Sequence, residues 1–331
     1  MKFIVFCLVL ALTVGQMGMA GTTGTVEEEA AKEKSSLVRT FHIGNSLTDT
    51  VDGWLAPVAE SAGRKLDFHR FTIPGAPTDW LWNHPGSGFG DSKYKEAFAE
   101  LAPIDHLFIQ PFAGHARSIE NEAEHIHKFF WLCRSKSSNV RLWLYQQWPG
   151  KKFDESWSKG IYSLGSNIVY WKHKIKLRTD ESIVDGDWAG WQLKKAEPPK
   201  NWKEAAANHT RYFEILRDHM QIRFPGRLVL IVPGGQALIA LKDRIEAGKV
   251  PGMTDFFAEI FADDVHLTAR GRYLISLVHY ACIYAESPEG KVSSLTTGLS
   301  AEQAAIFQKI AWQTARDYKW AGIAKTSRDA L

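Results

Sequence analysis

Short apolar runs, rich in β-branched and aromatic residues, recur along the chain, and between them apolar positions fall at intervals of three and four. Arg39 to Ile43, Leu66 to Thr72, Ile104 to Ile109, Val140 to Tyr145 and Leu228 to Val232 read as strands. Ile119, Ala123, Ile126, Phe130 and Cys133 share one helical face, with Ser118 placed as N-cap. Asn201 and Glu204 open a second helix that runs through Tyr212 and Leu216 to His219. Ser300 and Gln303 make a capping-box pattern ahead of Ile306, Phe307 and Ile310. Strands alternating with helices predict an α/β fold, a three-layer α/β/α sandwich around a central parallel sheet of about five strands. In such a sheet a ligand sits beyond the carboxyl ends of the strands, so chemistry is expected in the turns that follow them.

The N-terminus departs from this pattern. A positive start at Met1-Lys2, an apolar run from Phe3 to Val14 and the small residues Gly18 and Ala20 read as a secretory signal over residues 1–20. The apolar run is short for a membrane span, which makes an uncleaved anchor the lesser alternative, and no later stretch reads as a span. Residues 21–37, mostly Gly, Thr, Ser, Glu, Lys and Ala, bury little and read as a flexible leader. Residues 38–331 then form one domain, exported to the periplasm or the exterior. The stretch from Gly150 to Lys200 is too long for a plain loop in such a domain and reads as an insertion.

Composition narrows the function classes. The formal charge of +3 becomes +2 once Lys2 leaves, too little for a nucleic-acid binder. The local basic run Lys172, His173, Lys174, Lys176 and Arg178 reads as a solvated face. Cys133 and Cys282 fall within apolar helical patterns and read as buried free thiols, a single bridge between them being the alternative. The chain has 13 tryptophans, several of them in the insertion. Trp148, Trp188 and Trp191 are candidate substrate-binding residues, able to stack on sugar rings, although anchoring the insertion to the core is the plainer explanation of such aromatics.

Two short motifs carry the chemistry. After the first strand comes Gly44-Asn45-Ser46-Leu47-Thr48, a tight strand-to-helix turn that would present the Ser46 hydroxyl to the crevice. Backbone N–H groups there can stabilise a developing oxyanion. Near the other end, Asp263-Asp264-Val265-His266 places an Asp three residues before a His, where it can accept from Nδ1 and leave Nε2 to take a proton from serine. Alone, each motif has a plainer explanation, a helix cap for Ser46 and a polar loop for Asp263 and His266. Together they sit where a doubly wound sheet brings both to one edge.

This pair resembles the GDSL, or SGNH, hydrolase superfamily, in the branches with G-N-S in place of G-D-S. The resemblance implies a flavodoxin-like SGNH fold and a serine esterase that needs no metal or cofactor, with Ser46 as nucleophile and Asp263 and His266 completing the triad. Asp264 is the neighbour that a shifted loop would bring in instead. The resemblance also implies an oxyanion hole from the backbone of Ser46 and Gly75 and from the side chain of Gln110. Gln110 stands where the family usually has Asn in G-x-N-D, and Gly75 also reads as part of an ordinary Pro-Gly turn. The base must be neutral, so the rate should rise with pH. Export, tryptophan content and mild charge favour an O-acetylated carbohydrate as the ester substrate. A short-chain acyl ester or lipid comes next, and a non-catalytic glycan-binding module on the same fold is the alternative from another class.

Overall fold

The computed structural model describes residues 36–112, 119–153, 174–178, 183–187, 199–224 and 226–323. Residues 1–35, Ser118, Trp188 and Trp191 lie outside the described residues, so the expectations that fall on them stay as expectations.

In chain order the strands are β1 (Leu37–Gly44), β2 (Lys65–Thr72), β3 (Phe89–Gly90), β4 (His106–Ile109), β5 (Arg141–Tyr145), β6 (Lys174–Arg178), β7 (Ile183–Asp187) and β8 (Val229–Val232). The helices are α1 (Leu55–Ser61), α2 (Thr78–Asn83), α3 (Tyr94–Glu100), α4 (Ile119–Arg134), α5 (Trp202–Arg223), α6 (Gly234–Glu246), α7 (Phe256–Ile260), α8 (Ala269–Tyr284) and α9 (Ala301–Asp317). A single 3₁₀ turn, Thr48–Thr50, follows β1.

Six strands form one sheet in the order β3-β2-β1-β4-β5-β8. All neighbours are parallel except β3, a two-residue antiparallel edge on Phe71 and Thr72. The five expected strands are present and parallel; the sixth is too short to leave a periodic signal. Leaving out β3, the order is that of a flavodoxin-type sheet, whose direction of winding reverses between β1 and β4. The turns after those two strands therefore diverge and leave a crevice. The insertion holds a second sheet, the antiparallel pair β6 and β7.

Side chains alternate across the sheet, so it divides the core in two. Phe41, Ile43, Leu107, Ile109, Leu142 and Leu144 face α2 to α5. Phe108, Trp143 and Tyr145 face α1, α6, α8 and α9. Asn201 caps α5 by accepting from the Glu204 N–H at 3.0 Å. Ser300 and Gln303 form the reciprocal capping box at the start of α9. Cys133 and Cys282 are buried free thiols, one on each side of the sheet. Among the described residues no helix is long and apolar enough to cross a membrane.

Candidate active site

The turn after β1 is shaped by what its residues cannot tolerate. A Cβ on Gly44 would stand 2.1 Å from Thr48 Oγ1 and 2.8 Å from Gln110 Cβ, so only glycine lets β1 pass this close to the chain end of β4. Asn45 Oδ1 accepts from the Leu47 N–H at 3.0 Å, and the Asn45 carbonyl accepts from the Thr48 N–H at 2.9 Å. This local closure turns the chain at Ser46 and starts the 3₁₀ turn.

Ser46 meets His266 across 220 residues of sequence, with Oγ 2.9 Å from Nε2. His266 Nδ1 lies 2.8 Å from Asp263 Oδ2, while Asp263 Oδ1 accepts from the backbone N–H groups of Val265 and His266, each at 2.8 Å. Burial by itself would raise the Asp263 carboxyl. The N–H groups of His266 and Val265, with the imidazole, outweigh it and hold the carboxyl down at about 2. An ionised carboxylate can only accept, so the Nδ1 proton belongs to His266, and in the neutral imidazole the Nε2 lone pair faces the Ser46 hydroxyl.

Asp264 has a different task. Its carbonyl accepts from the Lys151 N–H at 2.7 Å and its Oδ1 from the Lys152 N–H at 2.9 Å. The chain leaving β5 is thereby strapped to the turn that carries His266.

Ile73-Pro74-Gly75-Ala76 forms a tight turn closed by Ala76 N–H to the Ile73 carbonyl at 3.1 Å, with Gly75 at φ 69°. That is the left-handed position a Pro-Gly turn of this kind requires. The turn and the N–H are compatible: among the described residues neither the Gly75 nor the Ser46 N–H has a partner. Asn45, Ser46, Leu47, Gly75, Phe112, Gln147 and Val265 line a cleft of about 320 Å³.

Gln110 and Trp148 differ from expectation. Gln110 is not among the residues lining the cleft. It is buried beneath the Ser46 turn, where Oε1 accepts from the Asn45 N–H at 3.3 Å and Thr48 Oγ1 at 3.1 Å. Its amide nitrogen donates to the Pro111 carbonyl and, at 2.9 Å, to Gln147 Oε1. Both ends of the amide are used to hold the turn, and the cleft surface falls to Gln147. Trp148 is fully buried and offers no face to a substrate. Its indole N–H donates to the Val265 carbonyl at 2.9 Å, beside His266, because the chain after β5 runs under the Asp263–His266 turn.

No family model matches the sequence, and no curated protein does. Solved structures are similar to it. A DUF4886 family protein from Bacteroides uniformis matches at 12% identity and a TM-score of 0.60, over 88% of this chain and 99% of its own. Est24, a carbohydrate acetylesterase from Sinorhizobium meliloti, is 12% identical over 75% of this chain and 99% of its own, with a TM-score of 0.40. A member of the lipolytic G-D-S-L family from Veillonella parvula is 9% identical over 80% of this chain and 100% of its own, with a TM-score of 0.35. The chain shares its fold with the DUF4886 family protein.

Within this fold, sequence spacing missed the supporting contacts. The strap through Asp264, the indole of Trp148 and the Gly44–Thr48–Gln110–Gln147 packing join residues far apart in sequence, and none has a local pattern. Only the Gly44 contact left a trace, as a glycine where the turn was already expected.

Proposed function

We propose that the chain is a serine ester hydrolase. The observation that carries this reading is the hydrogen-bonded line from Ser46 Oγ through His266 to Asp263. Ser46 Oγ bonds to the carbonyl carbon as its proton passes to His266 Nε2. The imidazolium, steadied by Asp263, returns that proton to the departing alcohol oxygen as the ester C–O bond breaks. Water then attacks the acyl-enzyme by the same route and releases the acid. The unpartnered N–H groups of Ser46 and Gly75 receive the oxyanion, and Gln110 acts by holding the Ser46 turn rather than by donating to it.

The favoured substrate is an O-acetylated carbohydrate met outside the cytoplasm after loss of residues 1–20. The support is the signal-like N-terminus, the tryptophan-rich insertion and a small cleft in which, among the described residues, no charged side chain forms the lining. A neutral ester with a short acyl group suits such a lining better than a phosphorylated one.

Hydrolysis of p-nitrophenyl acetate by the mature chain beside Ser46→Ala tests the reaction. Turnover by the wild type alone, followed by acetate release from acetylated polysaccharides, is the expected result. Equal turnover by both would remove Ser46 as nucleophile. Glycan binding by both forms, with turnover by neither, would make the chain a binding module.

A further inference from the structure

Ser46 and His266 sit on separate pieces of chain, and a single hydrogen bond of about 1 kcal/mol does not by itself fix their spacing. A second tie runs beside it. Arg272, in the first turn of α8, donates from Nε to the Thr50 carbonyl at 3.0 Å. Its Nη2 donates to the Asp49 carbonyl at 2.8 Å and to the Asp52 carbonyl at 2.7 Å. These three carbonyls belong to the 3₁₀ turn after Ser46 and its exit, and they converge on the one guanidinium. A planar fork with fixed donor directions meets such a set; an ammonium does not reproduce it.

Both ends of this tie are stiff. On the Ser46 side, Arg70 of β2 holds the side chains of the same residues, with Nη2 2.8 Å from Asp52 Oδ2 and Nη1 3.3 Å from Asp49 Oδ1. The Ser46 carbonyl accepts from the Asp49 N–H at 3.2 Å, which links the nucleophile to the clamped turn. On the His266 side, its carbonyl accepts from the Ala262 N–H at 2.9 Å, and Phe261 bridges Leu267. Thr268 then caps α8, its N–H donating to the Ile260 carbonyl at 2.9 Å and its hydroxyl to the Glu259 carbonyl at 2.8 Å. His266 and Arg272 therefore ride on one rigid piece.

We propose that Arg272 is a positioning residue, which sets the distance between the Ser46 hydroxyl and His266 by clamping the turn after the nucleophile to the helix that follows the base. The inference rests on the hydrolase reading. Arg272 is only half-buried, so water can take over the three carbonyls when the side chain is removed. The fold survives while the two turns drift. A misplacement of about 1 Å can cost on the order of 10²-fold in rate.

The experiment compares wild type, Arg272→Ala, Arg272→Lys and, as a control, Arg64→Ala. Arg64 pairs with Glu286 and packs over Tyr284 at the far end of α8. The readouts are kcat and KM on p-nitrophenyl acetate, the rate of Ser46 labelling by a fluorophosphonate, and Tm. Arg272→Ala is expected to lose roughly 10- to 100-fold in kcat and in labelling rate, with KM within about twofold. Millimolar guanidinium should restore part of both rates, and Arg272→Lys should fall between wild type and Arg272→Ala. Arg64→Ala should lower Tm while keeping kcat. If wild type labels and turns over while Arg272→Ala matches it within about twofold, the clamp is wrong and the hydrolase reading stands. A rate loss that guanidinium does not reverse, and that Arg64→Ala shares in proportion to its fall in Tm, also overturns the clamp. If Arg272→Ala does not fold, Arg272→Lys decides by the same kcat and labelling readouts. Wild type that neither labels nor turns over removes the hydrolase reading itself.

Discussion

His266 is paired at 2.8 Å with Asp263, whose carboxyl is held down at about 2 against the effect of burial. Asp263 is thus ionised across any ordinary assay range and faces the imidazole as a carboxylate throughout it. Asp263→Asn should accordingly lower kcat by about 10⁴-fold at neutral pH. A loss of less than about tenfold would show that the carboxylate does not support His266. Trp148 offers a second test at this scale. Trp148→Phe keeps a ring in the buried site and removes the N–H that reaches Val265. It should cost about 1 kcal/mol of stability and reduce kcat several-fold without raising KM. A rise in KM alone would return Trp148 to the substrate-contacting role read from the sequence. Gly44→Ala should destabilise by about 1–3 kcal/mol, measured by urea unfolding, because its Cβ has no room against Thr48 and Gln110.

At the scale of elements, α2 follows the Gly75 turn and is held by a buried acid on α4. Glu122 accepts from Thr78 Oγ1, and Tyr212 donates to its other oxygen at 3.5 Å. Burial raises its carboxyl to about 7; the Asp79 charge adds to this, and the Thr78 and Tyr212 hydrogen bonds oppose it. A raised acid favours the fold when protonated. Its contribution is complete below the unfolded value of 4.5 and is lost as pH climbs to about 7. Glu122→Gln removes that loss, so between pH 5 and 7 its stability should rise with pH more steeply than the wild type's, by about 1.4 kcal/mol per pH unit. Identical slopes in denaturant titrations would show that Glu122 stays ionised in the fold.

Across the whole molecule, the sheet buries an unusual set of histidines. His42 stacks on Phe108 at 4.4 Å with His279 behind it, His106 accepts from the Trp143 indole at 2.9 Å, and His209 lies within α5. Burial lowers all four: His106 to about 3, His209 and His279 to about 4, and His42 well below its ordinary value, helped by His279 and His106. The unfolded chain takes up these protons from 6.5 downward and the fold does not, so stability falls as pH drops from about 6.5 to 4. His219, lowered to about 4 by burial, adds to these four, and the five together outweigh the raised Glu122 and Asp49. Unfolding free energy should therefore decline steeply between pH 6.5 and 4.5, with several protons taken up on unfolding, and a flat curve would contradict the buried neutral state. How much of this was legible beforehand follows from the range of each interaction. The five long strands, the capped starts of α5 and α9, the tight turn at Ser46 and the Asp263–His266 pair rest on neighbours a few residues apart, and periodicity or spacing exposes them. The doubly wound pattern added the expectation that the two motifs meet, and the resemblance of Gly44–Thr48 and Asp263–His266 to a known family added the roles expected of them. The sequence alone did not determine the edge strand β3, the burial of Trp148, the turn-holding place of Gln110, the strap through Asp264 or the clamp by Arg272. Each depends on which carbonyl or cavity lies opposite after the sheet has wound about its switch point, and only the tertiary structure decides that.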